Sequence, residues 1–153
     1  MDKKDNVLFL CTGNSARSQM AEAFLRYYAN ETFNVYSAGL NPQGINPYTV
    51  RIMDEIGIDI RHQTSESVKD YMGKMHFKYV ITVCSHADQN CPTPLWAYGI
   101  KLHFPFDDPA ATIGTDDQIM SKFREVRNQI QAKIQEWLKN VNQPAGSYPT
   151  TRT

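Results

Sequence analysis

Short apolar runs recur at four places along the chain. Residues 7–10 are continuously apolar, which is typical of a strand buried on both faces, and they lead directly into a loop that begins with Cys11. Residues 79–83 form a second run of this kind, rich in β-branched side chains. Residues 33–37 and 100–104 complete a predicted set of four strands.

Segments with helical spacing separate these runs. Apolar side chains recur every three or four positions across residues 19–29, and they form one long stripe across 116–141. Asn46 and Pro47 supply a cap and a first-turn proline for a helix that we expect to continue through Ile56. The alternation of strands and helices predicts an α/β fold in which a parallel sheet is covered by helices on both faces.

Length and composition limit the number of domains and the kinds of partner. A chain of 153 residues predicts a single domain, which we place at 1–141, followed by a flexible tail at 142–153. The 16 basic residues equal the 16 acidic ones, so nothing indicates a nucleic-acid partner. No apolar run is long enough for a signal peptide or a membrane span, so we expect a cytoplasmic protein without a membrane partner. Three cysteines argue against a structural disulfide framework and indicate reactive or buried thiols.

The loop after the first strand carries the strongest chemical signal. Cys11 stands where a strand passes into a helix, and the intervening backbone amides and the helix dipole can bind an anion there. Such a site is expected to lower the pKa of the Cys11 thiol, and Arg17 can donate two parallel hydrogen bonds to an oxyanion. Gly13 is expected to take an unusual dihedral angle. The candidate oxyanion-binding loop comprises Thr12, Gly13, Asn14, Ser15, Ala16, Arg17 and Ser18.

Roles for the polar side chains of this loop are less sharply defined. Asn14 and Ser15 are suited to fixing the loop or stabilising a thiolate, and Ser18 could cap the helix or bond Cys11. The alternative to a reactive thiol is a structural, buried cysteine followed by an ordinary capped helix. A nucleotide-binding loop is disfavoured, because no Gly-Lys-Ser/Thr follows.

Two further cysteines, Cys84 and Cys91, follow the third strand. In a helix, positions seven apart lie about 10 Å apart along the axis. A disulfide tolerates about 7 Å between α-carbons, so bonding the pair requires the segment to unwind or bend. We therefore predict a redox-driven conformational switch, with Pro92 ending the helix and leaving Cys91 near the surface. Metal ligation by Cys84, His86 and Cys91 is an alternative that lacks a fourth ligand, and two inert core cysteines are another.

Residues 7–22 resemble the opening of low-molecular-weight tyrosine phosphatases and, more closely, of thioredoxin-coupled arsenate reductases, and residues 36–39 match as well. The similarity extends over about residues 5–140. It implies a flavodoxin-like sheet of four parallel strands in the order 2-1-3-4. In that order Cys84 lies beside Cys11 at one edge of the sheet.

The resemblance also implies a three-thiol relay. Cys11 would attack arsenate, for which phosphate or sulfate is a mimic, and Asp108 would protonate the leaving water. On its own, Asp107-Asp108-Pro109 predicts a turn. The acid role of Asp108 is implied by the resemblance, because the family places its acid directly before a proline. Cys84 would then attack Cys11 and release arsenite, Cys91 would resolve the disulfide, and thioredoxin would reduce the resulting Cys84–Cys91 bond. We expect a monomer.

Departures from the family patterns bear on the choice of activity. Ala110 and Ala111 follow the Asp-Pro pair where phosphatases carry aromatic residues, and Ala16 replaces a second loop cysteine. No tightly bound cofactor is implied. Some reductases hold a potassium ion at positions that match Asn14, Glu22, Ser37 and Glu66, the last of which is often aspartate. Phosphate monoester hydrolysis through a Cys11 phosphoenzyme is the alternative activity, and a thiol redox or arsenite sensor is a non-enzymatic one.

Overall fold

A computed structural model describes residues 4–141. Four parallel strands form one sheet in the order β2-β1-β3-β4, which confirms the predicted fold class. The strands are β1 (Asp5–Cys11), β2 (Phe33–Gly39), β3 (Tyr79–Thr82) and β4 (Ile100–His103). The expected tail at 142–153 lies outside the described residues.

Within residues 4–141, five helices accompany the sheet, and the long last one coincides with the predicted stripe. They are α1 (Arg17–Ala29), α2 (Pro47–Asp54), α3 (Ser85–Gln89), α4 (Thr93–Trp96) and α5 (Asp116–Val141). Short 3-10 turns occur at Val68–Asp70 and Pro109–Ala111. Among residues 4–141, no helix is both long and apolar enough to cross a membrane.

Two helix boundaries differ from the prediction. Helix α1 begins at Arg17 rather than near residue 19, because the chain enters the helix directly from the loop. Helix α2 ends at Asp54 rather than Ile56. Gly57 adopts a φ of 77°, and its N–H and that of Ile58 bond back to carbonyls of the last turn, so the chain leaves the helix early.

The core lies where the central strand meets the helices. Phe9 of β1, Phe24 of α1 and Phe123 of α5 are fully buried. Helix α1 packs against α5, which also contacts α2. The residues of β1 are buried from Val7 to Cys11, as expected for a central strand with both faces covered.

The sheet register brings two loops together. Leu10 pairs with Thr82, and the N–H of Val83 donates to the carbonyl of Leu10 at 3.0 Å. On the other side of β1, Cys11 pairs with Gly39. The carboxyl ends of β1 and β3 therefore stop at the same edge of the sheet, and the residues that follow them are neighbours.

Candidate active site

The backbone of the loop after β1 turns its N–H groups inward. Four carbonyl oxygens of the loop accept hydrogen bonds from the chain segment that follows β2. Because a trans peptide holds its C=O and N–H on opposite sides, the N–H groups of the same peptide units face the interior of the loop. These bonds run from Leu40 to Cys11, Asn41 to Thr12, Gln43 to Gly13 and Asn46 to Ser15, at 2.8 to 3.1 Å. The arrangement fits a tetrahedral oxyanion.

The left-handed residue of the loop is Asn14, with a φ of 49°, and not Gly13 as the sequence indicated. Asparagine tolerates this conformation better than most side chains. Its fully buried amide donates to Ser18 at 2.8 Å and to Ser37 at 2.9 Å, and its oxygen accepts from the N–H of Glu66 at 2.8 Å. Asn14 therefore fixes the loop to three other segments.

Gly39, at the end of β2, allows the loop to approach the neighbouring strand. A Cβ atom at this position would lie 2.7 Å from the carbonyl oxygen of Thr12 and 3.0 Å from the nitrogen of Asn14. Both are backbone atoms and cannot move without shifting the loop. Only glycine fits this contact.

Helix α1 begins without a side-chain cap. Ala16 occupies the N-cap position, so the first N–H groups of the helix have no side-chain acceptor there. Ser18 is already inside the helix, and its hydroxyl accepts from Asn14. The structure thus gives Ser18 neither of its expected roles, the cap or a bond to Cys11. An anion in the loop would take the place of the missing cap.

Arg17 is held at the mouth of the loop by groups from the segment after β4. Its guanidinium donates to the carbonyl of Phe106 at 3.1 Å and lies 3.7 Å from the carboxylate of Asp108. Asp108 also accepts from the N–H of Ala110 at 3.0 Å, which fixes the carboxylate at the start of a 3-10 turn. The side chain of Asp108 is 46% exposed, so the acid lies beside the loop and in contact with solvent.

Cys11 and Cys84 are neighbours at the edge of the sheet where β1 and β3 end. Both are buried, with 4% and 5% of their surfaces exposed. The Cys11–Cys84 hydrogen bond is the main reason that the pKa of Cys84 falls to about 4, helped by hydrogen bonds from Thr12 and from the N–H of Ala87. The same bond, together with burial, raises the pKa of Cys11 well above its ordinary value. The two thiols ionise as a pair that shares one proton.

This pairing corrects the expectation that the loop alone lowers the pKa of Cys11. Arg17 and the N–H of Thr12 do lower it, but the hydrogen bond to Cys84 and the loss of solvation act more strongly in the opposite direction. The sequence could not show this, because the effect depends on a sulfur that is distant along the chain.

Thr12 connects Cys84 to the protein surface. Its hydroxyl lies 3.5 Å from the sulfur of Cys84 and 2.9 Å from Nδ1 of His86. His86 is exposed. A polar side chain of the loop therefore bridges the second thiol and an imidazole that is open to solvent.

Cys91 follows α3 but lies outside it. The helix ends at Gln89, two residues before Cys91, and the thiol is partly exposed. Burial raises the pKa of Cys91 to about 11. No cluster of three or more metal-ligating side chains occurs within residues 4–141, so the structure does not support metal binding by Cys84, His86 and Cys91.

The four positions matched to a potassium site come together beside the loop. Ser37 accepts from Asn14 and donates to the carboxylate of Glu22 at 2.5 Å, while Glu66 lies next to Asn14. Glu22 is buried, and burial raises its pKa. Arg26 lies 2.8 Å from this carboxylate and supplies a counter-charge.

The sequence did not predict three of the groups that build the site. The carbonyl of Phe106 and the missing side chain of Gly39 have no signature in sequence, because their roles depend on backbone contacts between distant segments. The hydrogen bond between Thr12 and His86 had one usable signal, since Thr12 directly follows Cys11 and His86 stands two residues after Cys84.

Fold and loop together define the class of protein. The chain belongs to the low molecular weight phosphotyrosine protein phosphatase family, whose model matches residues 6–146. Within this class, the arsenate reductase of Brevibacillus brevis is 43% identical over 138 residues, which cover 90% of this chain and 96% of that protein.

Solved structures agree with this placement. An arsenate reductase in its oxidized state superposes with a TM-score of 0.77 at 28% identity, covering 90% of this chain and 99% of the other. The thioredoxin-dependent arsenate reductase of Corynebacterium glutamicum gives a TM-score of 0.68 at 27% identity, covering 92% of this chain and 63% of that one.

Proposed function

We propose that the chain is an arsenate reductase in which Cys11, Cys84 and Cys91 act in turn and thioredoxin restores the reduced enzyme. The observation that carries this proposal is that the sheet brings the buried Cys11 and Cys84 to the same edge, where Thr12, the residue after Cys11, lies 3.5 Å from the sulfur of Cys84. Ester hydrolysis needs one thiol in the loop. A second buried thiol beside the first is placed to attack it, which is a redox reaction.

The first two steps transfer two electrons to arsenic. The thiolate of Cys11 attacks arsenate held by the loop N–H groups and Arg17, and an arsenate oxygen leaves as water with a proton from Asp108. Cys84 then attacks the sulfur of Cys11. As the S–S bond forms, the S–As bond breaks and its electron pair stays on arsenic, which leaves as arsenite.

The later steps reset the thiols. Cys91 attacks Cys84, which releases the thiolate of Cys11 and forms a Cys84–Cys91 disulfide. A thioredoxin dithiol reduces this bond by thiol–disulfide exchange and is itself oxidised. Such a cycle requires a compartment with a reducing thiol pool, which agrees with the expected cytoplasmic location.

Phosphate monoester hydrolysis is the second candidate, and Asp108 favours it. The carboxyl group lies 3.7 Å from Arg17, where in its protonated form it would donate a proton to the leaving oxygen of a phosphate ester. Ala110 and Ala111 are exposed beside it and offer no aromatic surface for a phosphotyrosine ring. We therefore propose phosphate monoester hydrolysis only as a residual activity of the same loop.

A coupled assay with arsenate, thioredoxin, thioredoxin reductase and NADPH tests the reductase. The wild-type protein should consume NADPH continuously. Cys91→Ser should release arsenite once per molecule and stop, because Cys11 and Cys84 still form a disulfide, whereas Cys84→Ser should release none. Both variants should retain hydrolysis of p-nitrophenyl phosphate. Absence of NADPH consumption with both thioredoxin and glutaredoxin would refute the reductase.

We further propose that a potassium ion binds beside the loop and is the sole cofactor. The carboxylates of Glu22 and Glu66 and the hydroxyl of Ser37 line a cavity of about 230 Å³. These are hard oxygen ligands of the type that such cations take. The guanidinium of Arg26 and the imidazole of His62 also line the cavity, so the two carboxylates face one permanently charged basic group, and a further positive charge would balance them. The ion would supply that charge and stabilise the Asn14 network.

Thermal unfolding tests whether the protein binds potassium. The melting temperature should be higher in potassium chloride than in choline chloride of equal ionic strength, and Glu66→Gln should reduce the difference. Equal melting temperatures in the two salts would contradict potassium binding.

A further inference from the structure

The exposed imidazole of His86 is connected to the buried thiol of Cys84 through one hydroxyl. Thr12 Oγ1 is 3.5 Å from the sulfur and 2.9 Å from Nδ1 of His86. A hydroxyl has one hydrogen to donate, so the state of the histidine decides which neighbour receives it. With Nδ1 unprotonated, Thr12 donates to His86 and can accept from the Cys84 thiol. With Nδ1 protonated, Thr12 accepts from His86 and donates to a Cys84 thiolate.

The proposed reaction produces a proton on Cys84 that must leave. In the free site Cys11 and Cys84 share one proton, and Cys11 attacks when that proton rests on Cys84. Before Cys84 can attack in turn, it has to lose the proton. Cys84 is 5% exposed, so solvent does not take it directly.

We propose that His86 is a positioning residue that takes this proton through the Thr12 hydroxyl and so prepares Cys84 to attack Cys11. This inference rests on the proposed reductase function. The thiol proton passes to Thr12 Oγ1 while the hydroxyl proton of Thr12 passes to Nδ1 of His86. The sulfur electron pair then forms the bond to Cys11. The exposed imidazolium later returns a proton to solvent.

The other charges around the pair do not provide this route. Arg17 lowers the pKa of Cys84 but has no proton to exchange near neutral pH. Asp88, on the same helix as His86, is paired with Lys101, Thr82 and His103 on the side of β4. Within the described part of the chain, His86 is the titratable group that Thr12 joins to Cys84.

The rate at which Cys84 is alkylated tests the proton transfer to His86 in the absence of arsenate. In a Cys11→Ser, Cys91→Ser background, Cys84 is the single thiol, and its rate of reaction with iodoacetamide reports the thiolate. His86→Ala should move the inflection of this rate to higher pH by about one unit, because the imidazolium partner is lost. His86→Asn, which keeps a polar group but cannot take a proton, should behave in the same way. His76→Ala, which removes an exposed histidine at the Tyr98 ring, is the matched control and should leave the profile unchanged.

A double-mutant cycle with Thr12→Val tests the path. Removing the hydroxyl should itself raise the inflection, and His86→Ala should then add nothing. Arsenite release in single turnover, measured in Cys91→Ser, should slow when His86 is replaced. An unmoved alkylation profile, or an effect of His86 that survives in full in Thr12→Val, would overturn the relay. Absence of arsenite in every variant, with the alkylation shift intact, would instead count against the reductase.

Discussion

Asp88 of α3 accepts a hydrogen bond from the Lys101 ammonium of β4, and this pair ties the helix between Cys84 and Cys91 to the sheet. Thr82 at the end of β3 donates to the same carboxylate at 2.9 Å. The pKa of Asp88 is lowered, chiefly by Lys101, so the carboxylate is ionised under physiological conditions. These contacts stabilise the reduced form, in which α3 is intact.

Asp88→Asn should therefore make the Cys84–Cys91 disulfide easier to form. Loss of the charged contact costs the reduced state about 1 kcal/mol, which corresponds to a potential more negative by about 20 mV. Equilibration with glutathione redox buffers in a Cys11→Ser background measures the potential. Asp70→Asn, a change in the 3-10 turn after β2, provides a control. A potential that stays constant or becomes less negative would show that α3 does not oppose the disulfide.

Gly39→Ala should disrupt the oxyanion loop. The new methyl group would lie 2.7 Å from the carbonyl oxygen of Thr12, so the loop must shift, and overpacking of this kind costs about 1–3 kcal/mol. Phosphate should then no longer protect Cys11 from alkylation. Gly44→Ala is the control, because its Cβ would meet no atom within 4 Å, although its φ of 83° adds strain. Both variants should melt earlier than wild type, but Gly44→Ala alone should retain protection by phosphate.

The sequence predicted most accurately the helices and strands whose hydrophobic pattern is local and repeated. The stripe across 116–141 coincides with α5, and the apolar run at 7–10 lies within the central strand. Patterning along a single segment was sufficient for these elements, since their burial follows from the side chains themselves. The order of the strands came from the resemblance and not from the pattern.

The site was predicted less well where distant segments meet. The resemblance grouped Asn14 with Ser37 and Glu66 as potassium ligands, but no local pattern shows that the Asn14 amide bonds to both segments, and these contacts accompany its left-handed backbone. The pKa of Cys11 was predicted in the wrong direction for a similar reason, because the hydrogen bond of its thiol to Cys84 and the loss of solvation outweigh the effect of the loop. Backbone geometry and tertiary hydrogen bonds decide both features.

Asn14→Ala should destabilise the protein and loosen the loop. The change removes three hydrogen bonds of a fully buried side chain and leaves their partners unpaired, which costs about 2–4 kcal/mol. Urea denaturation measures the loss. Asn34→Ala, which removes one bond to Asn6 at 3.0 Å, should cost less than half as much. Asn14→Gly should relieve the left-handed backbone but not restore the hydrogen bonds, so it should remain clearly less stable than wild type.

The Glu55 carboxylate should make the free energy of unfolding decrease at acidic pH. Arg124, and then Arg127, lower the pKa of this carboxylate from 4.5 to about 2, and the contacts join α2 to α5. A group with a lowered folded-state pKa stabilises fully above its unfolded pKa, and that contribution is lost as the pH falls toward the folded value. The difference in unfolding free energy between wild type and Glu55→Gln should thus be constant above pH 4.5 and shrink toward pH 2.

Glu125→Gln supplies the comparison for Glu55. Its carboxylate pairs with Lys122 of the same helix, 2.7 Å away, and is 53% exposed. Surface pairs of this type contribute little, so the unfolding free energy should change by less than about 0.5 kcal/mol at every pH. A Glu55→Gln difference that does not vary with pH would contradict the stabilising role of the Glu55 carboxylate.

Cys84→Ala should make Cys11 a stronger acid, although it removes the residue that the reductase needs next. The hydrogen bond to Cys84 is the largest cause that raises the pKa of Cys11, while Arg17 and the N–H of Thr12 act to lower it. Without Cys84 the loop groups should dominate, and the inflection for alkylation of the Cys11 peptide should fall by at least about one pH unit. Mass spectrometry of that peptide in a Cys91→Ser background measures the rate, and added phosphate should slow it in both proteins. Cys84→Ser keeps a hydroxyl beside Cys11, so its shift should be smaller. An inflection that rises in Cys84→Ala would mean that burial, and not the neighbouring thiol, controls the acidity of Cys11.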